Sequence, residues 1–576
     1  MKSVFEKSTA AAVLALSLAA CAGESSSAAT VSSSTLPTSV ASSSVDSSDE
    51  DMFSLVRSTT FGDVEGTHSS NALVWYAIPY GAAPVGELRW QAPQDPEPWT
   101  DVKDCTQPGE KAIQYVTDST TNETTATGID DCLNLDVYTT EGAEDLPVLV
   151  FIHGGNNQSG NAQEIVGEQI VERDNCVYVS LTYRLGLLGF NILPALQEEG
   201  KSNNFTMLDI AKALDWIKEN ISTFGGDPEN ITVSGFSAGG RDVMAMLISP
   251  VFKDKFQKAI AFSGGMTTAD VNLSAEKTAK LMANLAIEDG KAQDEAGAVE
   301  FLMTDSDEVR DYLYGIDSAR LAAAVGNASI RMSAFPHHFT DGIVIPTEGF
   351  DTAEYNDVPL MMLTGSTEFS FFNNFDGSFN AIENEDLRNR AVAFGNKYGS
   401  DMYRIFNAQM SAEKMADKYT SDIYIAQVDF GGANSAVEVP MFGAFHGIFV
   451  PMLSDVNGYA SIFDFASHQG YQAMAEEFNV YLANFLASGD PNGDGMTEWT
   501  AWTPESKISM VFDADETSAK LEGKDVSTTY DAIMDAMDAD DTIDAETKGY
   551  VIENSMNGRW FSDALHARYN TTDLWN

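Results

Sequence analysis

The stretch GGDPENITVSGFSAGG, residues 225–240, decides the fold. Its middle, ITVSGF, is a run of β-branched and apolar residues that reads as a strand. Ser237 then stands between Gly235 and Gly239, and the following AGGRDVMAMLISP takes helical spacing. Strand, Gly-x-Ser-x-Gly and helix, in that order, are the context a nucleophile elbow needs. A tight turn lifts the hydroxyl off the strand end, and glycines two positions away avoid clashes with neighbouring chain. The first N–H groups of the helix then point to where negative charge develops.

Working outward, LPVLVFIHGG (146–155), CVYVSLTYRLGLLGF (176–190) and FQKAIAFSGG (256–265) read as buried strands, and MLDIAKALDWIKENISTF (207–224) as a helix. Apolar strands alternating with helices predict an α/β fold with a mostly parallel sheet flanked on both faces. Before it, TTFGDVEG and ALVWYAIPYG read as hairpin-like strands. Residues 266–330 are Ala-rich, charged and helical in period, an expected inserted helical cap. Residues 530–549, YDAIMDAMDADDTIDAETKG, read as an acidic, solvated helical segment.

Acidic residues number 86 against 33 basic ones, a formal charge of -53. Such a field argues against nucleic acid as a partner and fits a protein kept soluble in salty surroundings. Residues 1–20 read as a signal peptide: Lys2 and Lys7, a short apolar run, then Leu18-Ala19-Ala20-Cys21, which resembles a bacterial lipobox. This predicts lipid attachment at Cys21, a Ser-rich flexible tether over 21–50 and a catalytic domain over 51–576. The expected location is periplasmic or cell-surface, with membrane contact only through that anchor. Cys176, in an apolar strand, reads as a buried free thiol.

A hydroxyl near neutral pH needs a base, and the base needs an orienting acid. His446, in FGAFHGIFVP (442–451), lies late in the chain; Glu368, in VPLMMLTGSTEFSFF (358–372), lies between it and Ser237. The order serine, acid, histidine is that of α/β-hydrolases. Asp341, in FTDGIVIP (339–346), is the rival acid.

Taken together, AIPYGAAPVGELRWQAP (77–93), DDCLNLDVYT (130–139), LPVLVFIHGG, LTYRLGLLGF, residues 203–240, FHGIF (445–449) and YLANFLASGDPN (481–492) resemble the type-B carboxylesterase, cholinesterase-like family of the α/β-hydrolase fold. The resemblance runs from about residue 56 to 503. It implies a serine carboxylesterase with Ser237 as nucleophile, Glu368 as acid and His446 as base. Backbone N–H groups of Gly155, Asn156 and Ala238 are implied as the oxyanion hole, with Asn156 where the family usually has a third glycine. Phe236 replaces the family's usual glutamate before the nucleophile, and the acid motif is shorter than usual. The resemblance also implies a Cys105–Cys132 disulfide, although Cys105 lies early for it, and structural pairs Arg89–Asp131 and Arg184–Asp209.

Phe236, Phe335, Phe371, Phe372, Phe442 and Phe445 cluster in sequence around these motifs and are the expected pocket residues. The expected substrates are uncharged, moderately apolar or aromatic small-molecule esters. No cofactor or metal is required; Asp490, Asn492 and Asp494 have calcium-loop spacing, but Ala501 stands where a bidentate acid is expected, so the stretch reads as a turn. Two alternatives stay open: an amide hydrolase on the same machinery, and a non-catalytic binding or adhesion protein that keeps the scaffold.

Overall fold

A computed structural model describes residues 55–117, 123–328 and 331–571. The expected signal peptide, Cys21 and the tether 21–50 lie outside these residues. The run Leu146–Ile152 forms a strand inside an eleven-stranded sheet. In chain order its strands are β1 Thr67–Ser69, β2 Ala72–Pro79, β3 Asn134–Thr140, β4 Leu146–Ile152, β5 Val177–Leu181, β6 Gly226–Phe236, β7 Lys258–Phe262, β8 Leu360–Gly365, β9 Ile423–Val428, β10 Ile508–Ala514 and β11 Ala519–Asp525. Their order across the sheet is β11-β10-β9-β8-β7-β6-β4-β5-β3-β2-β1. The middle, from β10 to β5, is parallel; β11 and the β3-β2-β1 edge are antiparallel.

Period-2 alternation explains why β4 is apolar throughout. Val148, Val150 and Ile152 enter one core, shared with α1 (Phe205–Asn220), while Leu149 and Phe151 enter the other. α2 (Ala238–Met246) follows β6 directly. Four helices occupy the stretch 266–330: α3 Val271–Glu288, α4 Glu295–Leu302, α5 Asp307–Gly315 and α6 Ser318–Val325, each begun by an Asp or Ser cap. Their apolar faces (Ala279, Met282, Leu302, Leu313, Leu321) join the first core. α7 (Glu385–Arg404) follows β8, and α8 (Gln469–Ser488) covers the second core. The C-terminal α9 (Tyr530–Ala539), α10 (Ala545–Val551) and α11 (Ser562–Tyr569) form a third core with α7, in which Phe394 and Tyr398 share a cluster with Ile533, Met534 and Met537. The stretch 530–549 is therefore not simply solvated: one face of α9 is buried.

Two pairings differ from expectation. Cys105 and Cys132 are buried free thiols, not a disulfide. Cys105 sits among Lys103, Asp104 and Asp136, where burial pushes its thiol up to about 12, while Cys132 sits beside Arg184 and Asp209 and is also raised by burial. Cys176 is likewise a buried thiol. Arg89 pairs with Asp130, at 4.0 Å, rather than Asp131, and donates to Ile316 O and Ser318 Oγ beside α6. The buried Arg184–Asp209 pair is present, with Nη2–Oδ1 at 2.6 Å and Nε–Oδ2 at 2.8 Å.

Among the described residues no helix is long and apolar enough to cross a membrane.

Candidate active site

β6 ends at Phe236, and Ser237 takes φ 56°, ψ -112° before α2 begins at Ala238. That backbone conformation is costly for a residue with a side chain and persists only where its surroundings enforce it. Here the Ser237 N–H donates to Phe262 O (2.9 Å) on neighbouring β7, and Ser237 O accepts from Arg241 N (3.0 Å). Both flanking glycines are required by close approach: a Cβ on Gly235 lies 2.3 Å from the Gly239 backbone, and one on Gly239 lies 2.0 Å from Ile152 O. The elbow is thus wedged between β4 and β7, with its hydroxyl at the carboxyl ends of the parallel strands, where open α/β sheets place their sites.

Glu368 follows β8 and His446 lies in the loop after β9, so both reach the same edge. His446 Nδ1 is 2.8 Å from Glu368 Oε2. A carboxylate only accepts, so Nδ1 carries the proton and the Nε2 lone pair is left available. His446 Nε2 is buried and has no protein partner. Glu368 is fully buried, and its charge is met by Ser263 Oγ (2.5 Å), Gly365 N (2.7 Å), Thr364 Oγ1 (3.0 Å) and Asn407 Nδ2 (3.1 Å). A buried carboxylate is tolerated only with such a donor set. Asp341, by contrast, accepts from Ile343 N, Val344 N, Ser202 and Asn204 and so fixes a loop.

The loop after β4 faces Ser237. Gly155 has φ 99° and Asn156 φ 55°. The Asn156 side chain is held by Arg241 Nη2, which donates to its Oδ1 (2.8 Å), while its Nδ2 donates to Gln158 Oε1 (3.2 Å). Arg241 is buried, lies 4.3 Å over the Trp560 ring, and has Nε and Nη1 without acceptors; burial brings its pKa down to about 10. Asn157 Nδ2 ties the loop to Asp242 Oδ1 (2.9 Å), which also meets His338 Nε2 (2.6 Å). Gly154 N donates to Glu164 Oε2 (2.6 Å), a carboxyl that burial raises to about 7. His153, stacked on Tyr183 at 4.3 Å, is pushed down to about 4 by burial and is neutral.

Ser237, His446, Gly155 and Asn156 line one cavity of about 310 Å³. Of the expected phenylalanines, Phe236, Phe371 and Phe372 line it. The Phe236 and Phe372 rings lie 4.7 and 4.9 Å from the His446 ring. Phe335, Phe442 and Phe445 do not line it. Phe335 packs with Phe190 and His337 in the first core, and Phe442 and Phe445 stand behind Phe371 in the second. Sequence neighbourhood placed them near the motifs, but adjacent residues point to different sides. Sequence reasoning missed Tyr115, Phe375 and Tyr459, and the polar Arg331, Asp376 and Arg559. Their only signal is tertiary. Among the described residues no group of three His, Cys, Asp or Glu side chains is arranged to hold a metal ion.

A mostly parallel, two-faced sheet, a serine elbow and a histidine–carboxylate pair at the strand ends define an α/β-hydrolase. A model of the carboxylesterase family matches residues 54–398, and the chain belongs to that family. It is 38% identical to para-nitrobenzyl esterase of Bacillus subtilis over 243 residues, a stretch spanning 40% of this chain and about half (48%) of that protein. It is 28% identical to liver carboxylesterase of Sus scrofa over 513 residues, 80% of this chain and 88% of that one. A solved Geobacillus stearothermophilus carboxylesterase superposes with a TM-score of 0.64, covering 84% of this chain and 99% of its own at 24% identity.

Proposed function

We propose that the chain is a serine carboxylesterase acting through Ser237, His446 and Glu368. The observation that carries this reading is the His446 ring, fixed by a buried, fully hydrogen-bonded carboxylate with its Nε2 unpartnered and lining the same cavity as the strained serine. In the first half-reaction His446 Nε2 takes the Ser237 proton as Oγ attacks the ester carbonyl. The N–H groups of Gly155, Asn156 and Ala238 receive the oxyanion; losing one such donor typically costs about 3 kcal/mol. The imidazolium, stabilised by Glu368, returns the proton to the leaving alcohol. Water then repeats the sequence on the acyl-enzyme. The residues that line the cavity beside His446, Phe236, Phe371, Phe372, Phe375 and Tyr459, support a moderately apolar or aromatic group on one side of the scissile bond.

A fluorophosphonate probe tests the reading. The protein is expected to label on Ser237, and Ser237→Ala to lose both labelling and ester turnover. Glu368→Gln is expected to keep the fold and lower kcat by roughly 10³–10⁴-fold, as loss of an orienting acid does. Absence of labelling favours a binding protein on this scaffold; faster turnover of a matched anilide than of the ester favours an amide hydrolase.

A further inference from the structure

Behind the loop after β4 lies a polar cluster that the proposed reaction does not use. It joins four segments: that loop, helix α2, the start of the insertion 266–330 and the chain just after it. Asn157 Nδ2 donates to Asp242 Oδ1 (2.9 Å), and His338 Nε2 meets the same oxygen at 2.6 Å. A carboxylate only accepts, so Nε2 carries the proton. His338 Nδ1 lies 3.1 Å from Thr267 Oγ1 and 3.2 Å from Thr267 O. Asn157, Asp242 and His338 are fully buried, and Thr267 nearly so.

Stability does not account for this cluster. Asp242 Oδ2 meets no donor among the described residues, and a buried carboxyl is costly when one oxygen is left unmet. Apolar side chains of similar volume would serve packing as well or better. What the cluster does is hold backbone. Asn157 has φ 55° and His338 φ 57°, a region that residues with side chains occupy only where their surroundings enforce it. Asp242 bonds both. Main-chain bonds brace the same two residues: Gly186 N donates to Asn157 O (2.7 Å) and Ala269 N to His338 O (3.0 Å). Asn157 follows directly on Gly155 and Asn156, which line the cavity with Ser237. Asp242 stands in α2, the helix that begins at the nucleophile, so one rigid element sets both the hydroxyl and the loop that faces it.

Resting on the esterase reading, we propose that Asp242 and His338 are positioning residues for oxyanion stabilisation. His338 orients the Asp242 carboxyl, Asp242 holds Asn157, and Asn157 fixes the N–H groups of Gly155 and Asn156 relative to Ser237. Those donors act mainly once negative charge has formed. Loosening them therefore raises the barrier and leaves ground-state binding unchanged. The penalty in a preorganised site is steep, on the order of 10²-fold for a displacement of about 1 Å.

The test uses the full chain, with fluorophosphonate titration giving the active-site concentration of each variant. Asn157→Gly removes the tie, and glycine takes φ 55° without strain, so the fold is kept. His338→Asn also accepts φ 57° but is too short to reach Asp242, whereas the amide of His338→Gln reaches about as far as Nε2. In Asn157→Gly and His338→Asn, kcat for phenyl acetate is expected to fall about tenfold or more, with KM within about twofold. His338→Gln is expected to retain most of the rate. Trifluoroacetophenone, whose hemiketal with Ser237 carries the oxyanion, is expected to lose affinity in step with kcat/KM. Acetophenone, which binds without forming a stable hemiketal, is expected to keep its Ki. Unchanged kcat in both loss variants overturns the proposal and leaves the esterase reading intact. Equal weakening of the two ketones does the same, because it marks a merely structural role. Should His338→Asn fail to fold, Asn157→Gly decides alone. No labelling and no phenyl acetate turnover by the unmodified protein overturns the esterase reading, and the positioning role with it.

Discussion

Asn156 takes φ 55°, a conformation asparagine accepts more readily than most side chains and glycine most readily of all. Under the proposed esterase reading, what would suit it to the oxyanion loop is where its side chain goes. Arg241, one turn into α2, draws the amide oxygen away, and Gln158 takes the amide nitrogen. Arg241 thus acts as a positioning residue: it keeps the amide from folding across the space beside Ser237. Arg241→Met is expected to lower kcat by about tenfold, because the released side chain crowds the oxyanion. In an Asn156→Gly background the same substitution has no side chain to release, so its effect on kcat shrinks toward nothing. A double-mutant cycle in kcat checks this, with a coupling of about 0.5–3 kcal/mol expected; equal penalties in both backgrounds sink the idea.

At the scale of elements, two irregularities serve the site. Residues Ile405–Gln409, directly after α7, form a π-turn that brings Asn407 Nδ2 to Glu368 and Thr364; a second, Ile552–Met556, lies just before Arg559. Such turns shift a side chain by one position and recur at functional sites. Neither has a periodicity that sequence reading detects. The elbow was legible because Gly-x-Ser-x-Gly between strand and helix is a local pattern, whereas Glu368 and His446 rested on the resemblance of their motifs, chain order alone leaving Asp341 open. The cavity walls were legible only in part: Phe236, Phe371 and Phe372 flank the motifs, but Tyr115, Asp376 and Arg559 come from three distant segments that only packing unites. Strand β2 adds a third irregularity, a bulge between Trp75 and Ile78 that leaves Ala77 at φ 52°. Its N–H is taken by buried Asp136 on β3 (2.7 Å), whose other oxygen meets Gln163, and burial raises this carboxyl from 3.8 to about 7. The folded state therefore holds a proton that the unfolded chain gives up near pH 4. The stabilisation is complete below that pH and is lost as pH rises through about 7, at about 1.4 kcal/mol per pKa unit. Asp136→Asn is expected to flatten this part of the stability-against-pH curve, measured by urea unfolding between about pH 4 and 7. An unchanged slope means that Asp136 is ionised in the folded protein.

The whole molecule carries a formal charge of -53, and this sets two opposing salt effects. Surface ion pairs such as Arg568 with Asp535 and Asp538, Arg320 with Asp289, and Lys507 with Glu413 weaken as ions screen them. Each exposed pair contributes about 0–1 kcal/mol. Against them stands the mutual repulsion of acids that outnumber bases 86 to 33, so most carboxylates have no cation to meet. Repulsion of this kind destabilises the compact state more than the expanded one, because folding brings the charges closer. Raising NaCl from about 0.01 M to about 1 M shortens the screening length from about 30 Å to about 3 Å, which removes the longer-range repulsion first and leaves near-contact pairs least affected. The expected outcome is a Tm that climbs steeply at low salt and flattens toward molar salt, followed by circular dichroism in NaCl rather than in sulfate, which strengthens burial by its own route. A Tm that falls over this range would mean that the ion pairs outweigh the excess of carboxylates, and that the acidic surface is held together by its few cations.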